Sequence, residues 1–145
     1  MGNTKDVEKR LCQRFRIGGA TVSYRIVRLF ASKTGTDEEF CPVLDLSRGG
    51  VRFLTQKPLK FKSRVRLQLT VPGERAPLDL NGRVRWSTFN TGKSYKYQVG
   101  VQFEPYGHEK RQNAPQTLTR IVALETKFVE PENPVGPAEG GGPAA

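Results

Sequence analysis

In the stretch Arg64-Val65-Arg66-Leu67-Gln68-Leu69-Thr70-Val71 apolar and polar residues alternate without a break. This predicts a β-strand with Val65, Leu67, Leu69 and Val71 on one face and Arg64 and Arg66 on the other. The pattern recurs downstream: Leu78, Leu80, Gly82, Val84 and Trp86 share one parity, with Asp79, Asn81, Arg83 and Arg85 on the opposite one. Tyr97, Val99, Val101 and Phe103 repeat it, so both aromatics are expected to face the core. Residues 20–29, 41–46 and 51–55 are rich enough in β-branched and aromatic residues to be strands as well. Turns are expected at Lys33-Thr34-Gly35-Thr36 and Ser47-Arg48-Gly49-Gly50. After Pro105 the period changes: Leu118, Ile121, Val122, Glu125 and Phe128 form a stripe at helical spacing, Pro115 suits a first turn and Asn113 can cap. The predicted fold is therefore all-β with one C-terminal helix, a six-stranded antiparallel β-barrel whose closure leaves no exposed edges.

At 145 residues the chain has room for one domain and no cleft between large lobes, which favours a binding module over an enzyme. The tail 131–145, PENPVGPAEGGGPAA, has no apolar periodicity and is expected to be disordered. Residues 1–16, with Arg10, Arg14 and Arg16, read as a mobile basic arm, leaving the barrel and helix to residues 17–130. No apolar run approaches the roughly 20 residues of a membrane span, and the polar start does not read as a signal peptide. Gly2 is followed by Asp6 where myristoylation wants Ser or Thr, so a soluble, cytoplasmic protein without membrane insertion is expected. In that compartment Cys12 and Cys41 read as free thiols. The formal net charge is +10, and because the last fifteen residues carry two Glu and no base, residues 1–130 carry +12. Such a surface attracts anions: nucleic acid, an anionic membrane, an acidic protein or a phosphorylated small molecule.

Enzyme and metal templates find no foothold. His108 is the single histidine and lies in a hydrophilic segment remote in sequence from both cysteines. Asp37-Glu38-Glu39 reads as a solvated turn, and no glycine-rich loop with a following Lys-Ser/Thr occurs. No catalytic residue, metal or cofactor is expected. Two local features remain. Arg10 and Arg14 stand four residues apart on the arm; they are either a solvated basic face or two guanidinium forks shaped for a phosphate or the O6/N7 edge of guanine. Asp45-Leu46-Ser47-Arg48-Gly49-Gly50 joins two strands. It is either a structural turn, with side chains bonding nearby amides and a glycine at positive φ, or a guanine seat in which Asp45 accepts ring N–H donors, Ser47 adds a hydroxyl and Gly50 keeps the backbone clear.

Together and in this order the two features resemble the PilZ domain, whose signature is Arg-x-x-x-Arg on an N-terminal arm followed by Asp/Asn-x-Ser-x-x-Gly on a barrel strand. Arg10, Arg14, Asp45, Ser47 and Gly50 match its fixed positions, and Gly82-Arg83-Val84-Arg85-Trp86 and Val99-Gly100-Val101-Gln102-Phe103 are similar to the family's later strands. The resemblance spans about residues 9–128. It implies a receptor for the bacterial second messenger cyclic di-GMP, gripped by Arg10 and Arg14 and seated by Asp45, Ser47 and Gly50. It further implies a non-enzymatic output through a downstream effector protein, in motility, exopolysaccharide or biofilm control. Four neighbours are possible further contacts. Lys9 and Arg48 could meet phosphate or water, Gly49 shares the turn, and Trp86 is either a packed rim residue or a stacking surface. Arg64, Arg66, Arg83 and Arg85 read as a solvated outer face. Two alternatives stand beside this reading: a basic barrel binding nucleic acid nonspecifically, disfavoured because Tyr97 and Phe103 have core parity rather than forming a stacking platform, and a PilZ adaptor that binds no nucleotide.

Overall fold

Each uninterrupted alternation becomes a strand in the structure, a computed structural model that describes residues 13–29, 35–92 and 94–129. The strands are β1 (Thr21–Ile26), β2 (Glu38–Ser47), β3 (Gly50–Thr55), β4 (Arg64–Thr70), β5 (Leu78–Phe89) and β6 (Tyr97–Phe103), followed by the helix α1 (Pro115–Phe128). They close in the order β1-β2-β3-β6-β5-β4, every pair antiparallel. In β4 the alternation holds residue by residue, with Val65, Leu67 and Leu69 inside. Val22, Tyr24, Cys41, Leu46, Val51, Phe53, Leu78, Leu80, Val84, Val99, Val101 and Phe103 complete the barrel interior. Each such side chain contributes roughly 1.5–3 kcal/mol on burial. Ile121 and Leu124 bring the helix stripe onto the same core, with Phe128 packed at its margin.

Several expectations are corrected by what the barrel must satisfy. The acidic run is not a solvated turn. Glu38 opens β2, accepts the Tyr24 hydroxyl and takes the amides of Gln56 and Lys57 at 2.8 and 3.2 Å, while Asp37 accepts the Ile26 amide at 2.7 Å. The ends of β1 and β3 would otherwise leave these donors without a ladder partner. Asn113 does not cap α1; Ala114 holds that position without a side-chain bond, although Pro115 does begin the helix. The Asn113 side chain is buried instead, accepting the Asn81 amide at 2.7 Å and donating to the Asn81 and Glu104 carbonyls at 3.1 and 2.9 Å. It clamps the segment before the helix to β5.

Residues 13–16, counted with the arm in the sequence reading, are held to the barrel. Phe15 and Leu46 exchange both backbone hydrogen bonds at 2.9 Å, and Phe15 and Ile17 are buried. Two apolar side chains at alternate positions carry this stretch along the end of β2 that β1 does not reach, ahead of the Ala20–Val43 contact that leads into β1. Tyr97 is half-buried and stacks on exposed Phe89 at 5.3 Å between ring centroids, so of the two aromatics given core parity only Phe103 reaches the interior. Cys41 is a free, buried thiol whose pKa burial and the nearby Glu38 charge push up to about 12. Cys12, the charged start of the arm and the tail 131–145 lie outside the described residues.

Candidate ligand-binding site

The candidate site grows from register. Asp45 pairs with Arg52, Ser47 with Gly50, Gly50 with Gln102 and Arg52 with Gly100. With Leu46, Val51, Phe53, Val99 and Val101 inside, parity turns all of these outward onto one wall of β2, β3 and β6. A bulge between Val43 and Asp45 resets β2 so that Asp45 and Ser47 fall on that wall. A second bulge, between Val84 and Trp86, has the corresponding effect on β5. Val84 opposes Val101 inside, the extra residue Arg85 intervenes, and Trp86 opposes Gly100 outside. Trp86 therefore leaves the core parity assigned to it, and its half-buried indole lies directly over Gly100, where a Cβ would collide with the ring.

Asp45 is the electrostatic centre. Its carboxylate accepts Arg14 Nη1 at 2.8 Å and Arg52 Nε at 2.9 and 3.1 Å, with a further short contact from Arg52 Nη2. Burial pushes the Asp45 carboxyl up, but the hydrogen bonds and charge of Arg52, joined by those of Arg14, outweigh it and hold the group below the usual carboxylate range. The same hydrogen bond raises the Arg52 guanidinium. Arg14 keeps its side chain 50% exposed, so a single Asp45 contact orients the fork while most of its N–H donors face outward. The sequence reading passed over Arg52. Its outward parity between inward Val51 and Phe53, two residues past Gly50, was the available signal.

The motif turn behaves differently from its glycine-φ expectation. Neither Gly49 nor Gly50 is among the glycines with positive φ. Gly50 is required because a Cβ there would strike the Val101 carbonyl oxygen of β6, and Ser47 Oγ accepts the Gly49 amide at 3.2 Å within the turn. Arg14, Ser47, Gly49, Gly50, Arg85 and Trp86 share one cleft of about 310 Å3 floored by β6. Asp45 lies beside it, beneath Arg14. Arg48 makes a structural contact: its Nε donates to Glu125 of α1 at 2.7 Å, and its carbonyl accepts the Tyr106 hydroxyl at 2.6 Å, so the side chain, still a third exposed, tethers the helix to the turn. Lys9 and Arg10 lie outside the described residues. No group of three or more His, Cys, Asp or Glu side chains with metal-binding geometry occurs among the described residues, and no described helix is long and apolar enough to cross a membrane.

Comparison with known proteins adds three findings. The solved structure of the Bacillus subtilis inhibitor of motility (MotI/DgrA) superposes with a TM-score of 0.53 at 14% sequence identity, covering 79% of this chain and 49% of that one. This chain thus spans about half the length of that protein, and the likeness is one of fold. No curated protein matches the sequence. The family model for the PilZ domain matches residues 8–122, a stretch that includes Arg10, Arg14, Asp45, Ser47, Gly50 and all six strands. The chain belongs to the PilZ domain family.

Proposed function

We propose that the protein is a receptor for cyclic di-GMP, without catalytic activity of its own, that passes the signal to a partner protein. The observation that carries this reading is the outward Arg14 fork, oriented by an ionised Asp45 at the rim of a cleft shared with Ser47, Gly50 and Trp86. A guanidinium fixed in this way can take a phosphate or the O6/N7 edge of guanine through two parallel bonds. Arg10, four residues earlier, supplies the second fork that the family signature calls for. The cleft is at the small end of the range for ligand pockets, about 300–1,000 Å3. It accommodates one guanylyl half, with the other half covered by the arm drawn across it. Ser47 and the exposed part of the Trp86 indole offer this half a hydroxyl and an aromatic surface.

Asp45 has two roles in succession. Without ligand its oxygens are taken by Arg14 and Arg52; to accept guanine N–H donors it must release part of the Arg14 contact, which frees that fork for the ligand. Arg52 remains as the counter-charge, so the carboxylate stays ionised throughout. Ligand entry thereby repositions Arg14 and the residues before it, and the altered surface is what an effector in motility, exopolysaccharide or biofilm control would read.

The test is calorimetric titration of the full chain with cyclic di-GMP and, separately, cyclic di-AMP, on wild type and Arg14→Ala. Saturable binding of the guanine compound, at least about tenfold weaker binding of the adenine one and a loss of at least about tenfold in the variant are expected, since a bidentate Arg–base pair discriminates by roughly 1–3 kcal/mol. Absence of cyclic di-GMP binding at tens of micromolar would overturn the proposal and leave an adaptor that takes no nucleotide.

A further inference from the structure

The outer face of β1, β4 and the first half of β5, outside the lining of the candidate nucleotide cleft, carries a concentration of positive charge that the signature motif does not use. Arg25 stands directly opposite Arg66 in the β1–β4 register, and Arg64 directly opposite Arg83 in the β4–β5 register. Like charges facing across strands about 5 Å apart work against folding. Arg83 is neutralised by Glu104 at 3.0 Å. Arg25, Arg64, Arg66, Lys110 and Arg111 have no carboxylate partner among the described residues. These five cations line one groove of about 540 Å3, the floor of which is Val65 and Gly82.

The groove is also held in shape. Lys110 and Arg111 belong to the segment that buried Asn113 fastens down through four hydrogen bonds of 2.7–3.1 Å, two with Asn81 of β5 and two to the carbonyls of Glu104 and Pro105 just past β6. Arg111 adopts a φ of 72°, and its carbonyl accepts the Asn81 side chain at 3.4 Å. The cations are thus brought together by fixed backbone and not by chance rotamers.

We propose that this groove is a second anion site that binds an oligophosphate chain, free or carried on a nucleoside. Four of the five unpartnered cations are arginines, whose planar forks match phosphate oxygens in pairs where lysine offers a point charge. Cross-strand neighbours about 5 Å apart and same-strand neighbours Arg64 and Arg66 about 7 Å apart give positive charge at a density suited to successive phosphates. The absence of any aromatic residue from the lining argues against single-stranded nucleic acid stacked through its bases. The concave groove, walled on one side by the Lys110–Arg111 segment, suits a compact polyanion better than the flat backbone of a duplex.

The experiment is titration of the full chain with inorganic tripolyphosphate, GTP, a poly-glutamate peptide and duplex DNA, on wild type, Arg25→Gln/Arg66→Gln, Arg64→Gln and Arg14→Ala. The expected result is saturable tripolyphosphate binding that falls at least tenfold in the double variant, falls in Arg64→Gln and persists in Arg14→Ala. Tighter binding of GTP would assign the chain to a nucleoside carrier, and equal binding to the free chain. Thermal unfolding checks the variants: removing facing like charges should leave the double variant at least as stable as wild type, and Arg64→Gln provides an independent reading. Binding lost in Arg14→Ala but kept in the double variant would overturn the proposal by moving the anion to the other cleft. It would equally be overturned if tripolyphosphate failed to bind, or if poly-glutamate or DNA bound through these arginines in preference to it.

Discussion

Asp45 carries the ion pairs that fix Arg14 and Arg52 on the outer wall of the barrel. Its carboxyl is held below the usual range in the folded protein, so the stability it contributes is complete above its ordinary pKa near 4 and is lost as pH falls below that value. Replacing it with Asn leaves Arg52 and Arg14 without their counter-charge, at a cost of about 1–3 kcal/mol because both guanidiniums are partly solvated. Urea unfolding should therefore show the gap between wild type and Asp45→Asn at pH 7 narrowing progressively as the pH is lowered below about 4. A gap that does not depend on pH would mean the carboxylate is not the source. Gly50 poses a different kind of residue question. Because a Cβ would meet the Val101 carbonyl, Gly50→Ala must separate β3 from β6 and should destabilise by about 1–3 kcal/mol with no ligand present. The third fixed position of the turn motif is thus a requirement of strand contact before it is one of binding. The sequence showed that a glycine stands there, but not which atom it makes room for.

At the level of elements, what the sequence conveys is periodicity, and what it conceals is where periodicity slips. β4 and β6 and the start of β5 follow from alternation alone, and α1 from its stripe with Pro115 at the first position. The bulges at Val43/Asp45 and Val84/Trp86 each insert one residue without any compositional mark, and the second is what turns Trp86 out of the core. The anchoring of Phe15 and Ile17 was hidden for another reason: a two-residue apolar alternation next to three arginines is too short to count as a strand, yet it is enough to pair with the end of β2 that β1 does not reach. Arg48 was legible as a motif position, but its partner Glu125 lies 77 residues away and only the tertiary fold brings them together. Arg48→Ala should therefore loosen the contact between α1 and the β2–β3 turn, costing about 1 kcal/mol, and leave cyclic di-GMP affinity within about twofold of wild type. Chemical denaturation and titration of the same variant separate the two quantities, and a tenfold loss of affinity would return Arg48 to the ligand.

At the scale of the whole molecule two basic regions stand out on one barrel, Arg14 and its neighbours on the β2–β3–β6 side, joined by Arg85 and Trp86 of β5, and the arginine groove on the β1–β4–β5 side. The closed hydrogen-bonded ring lets each wall be changed without dismantling the other, because the inward side chains that hold the barrel together are separate from the outward ones that carry the charge. Binding at either wall stabilises the same folding unit by mass action, about 2.7 kcal/mol at a ligand concentration one hundred times Kd. For a domain of this size that raises the melting temperature by about 10 °C. Two ligands and two variants then give a crossed pattern. Cyclic di-GMP should raise the melting temperature of Arg25→Gln/Arg66→Gln as it does that of wild type and raise that of Arg14→Ala by about half as much or less, while tripolyphosphate should do the reverse. Both shifts should shrink as salt rises from 50 to 500 mM, since each rests on exposed charges screened over a Debye length of about 10 Å at 0.1 M. If one variant abolished both shifts, the two walls would have to be read as a single anion-binding surface, and the separation of inward core from outward charge would not be what makes them independent.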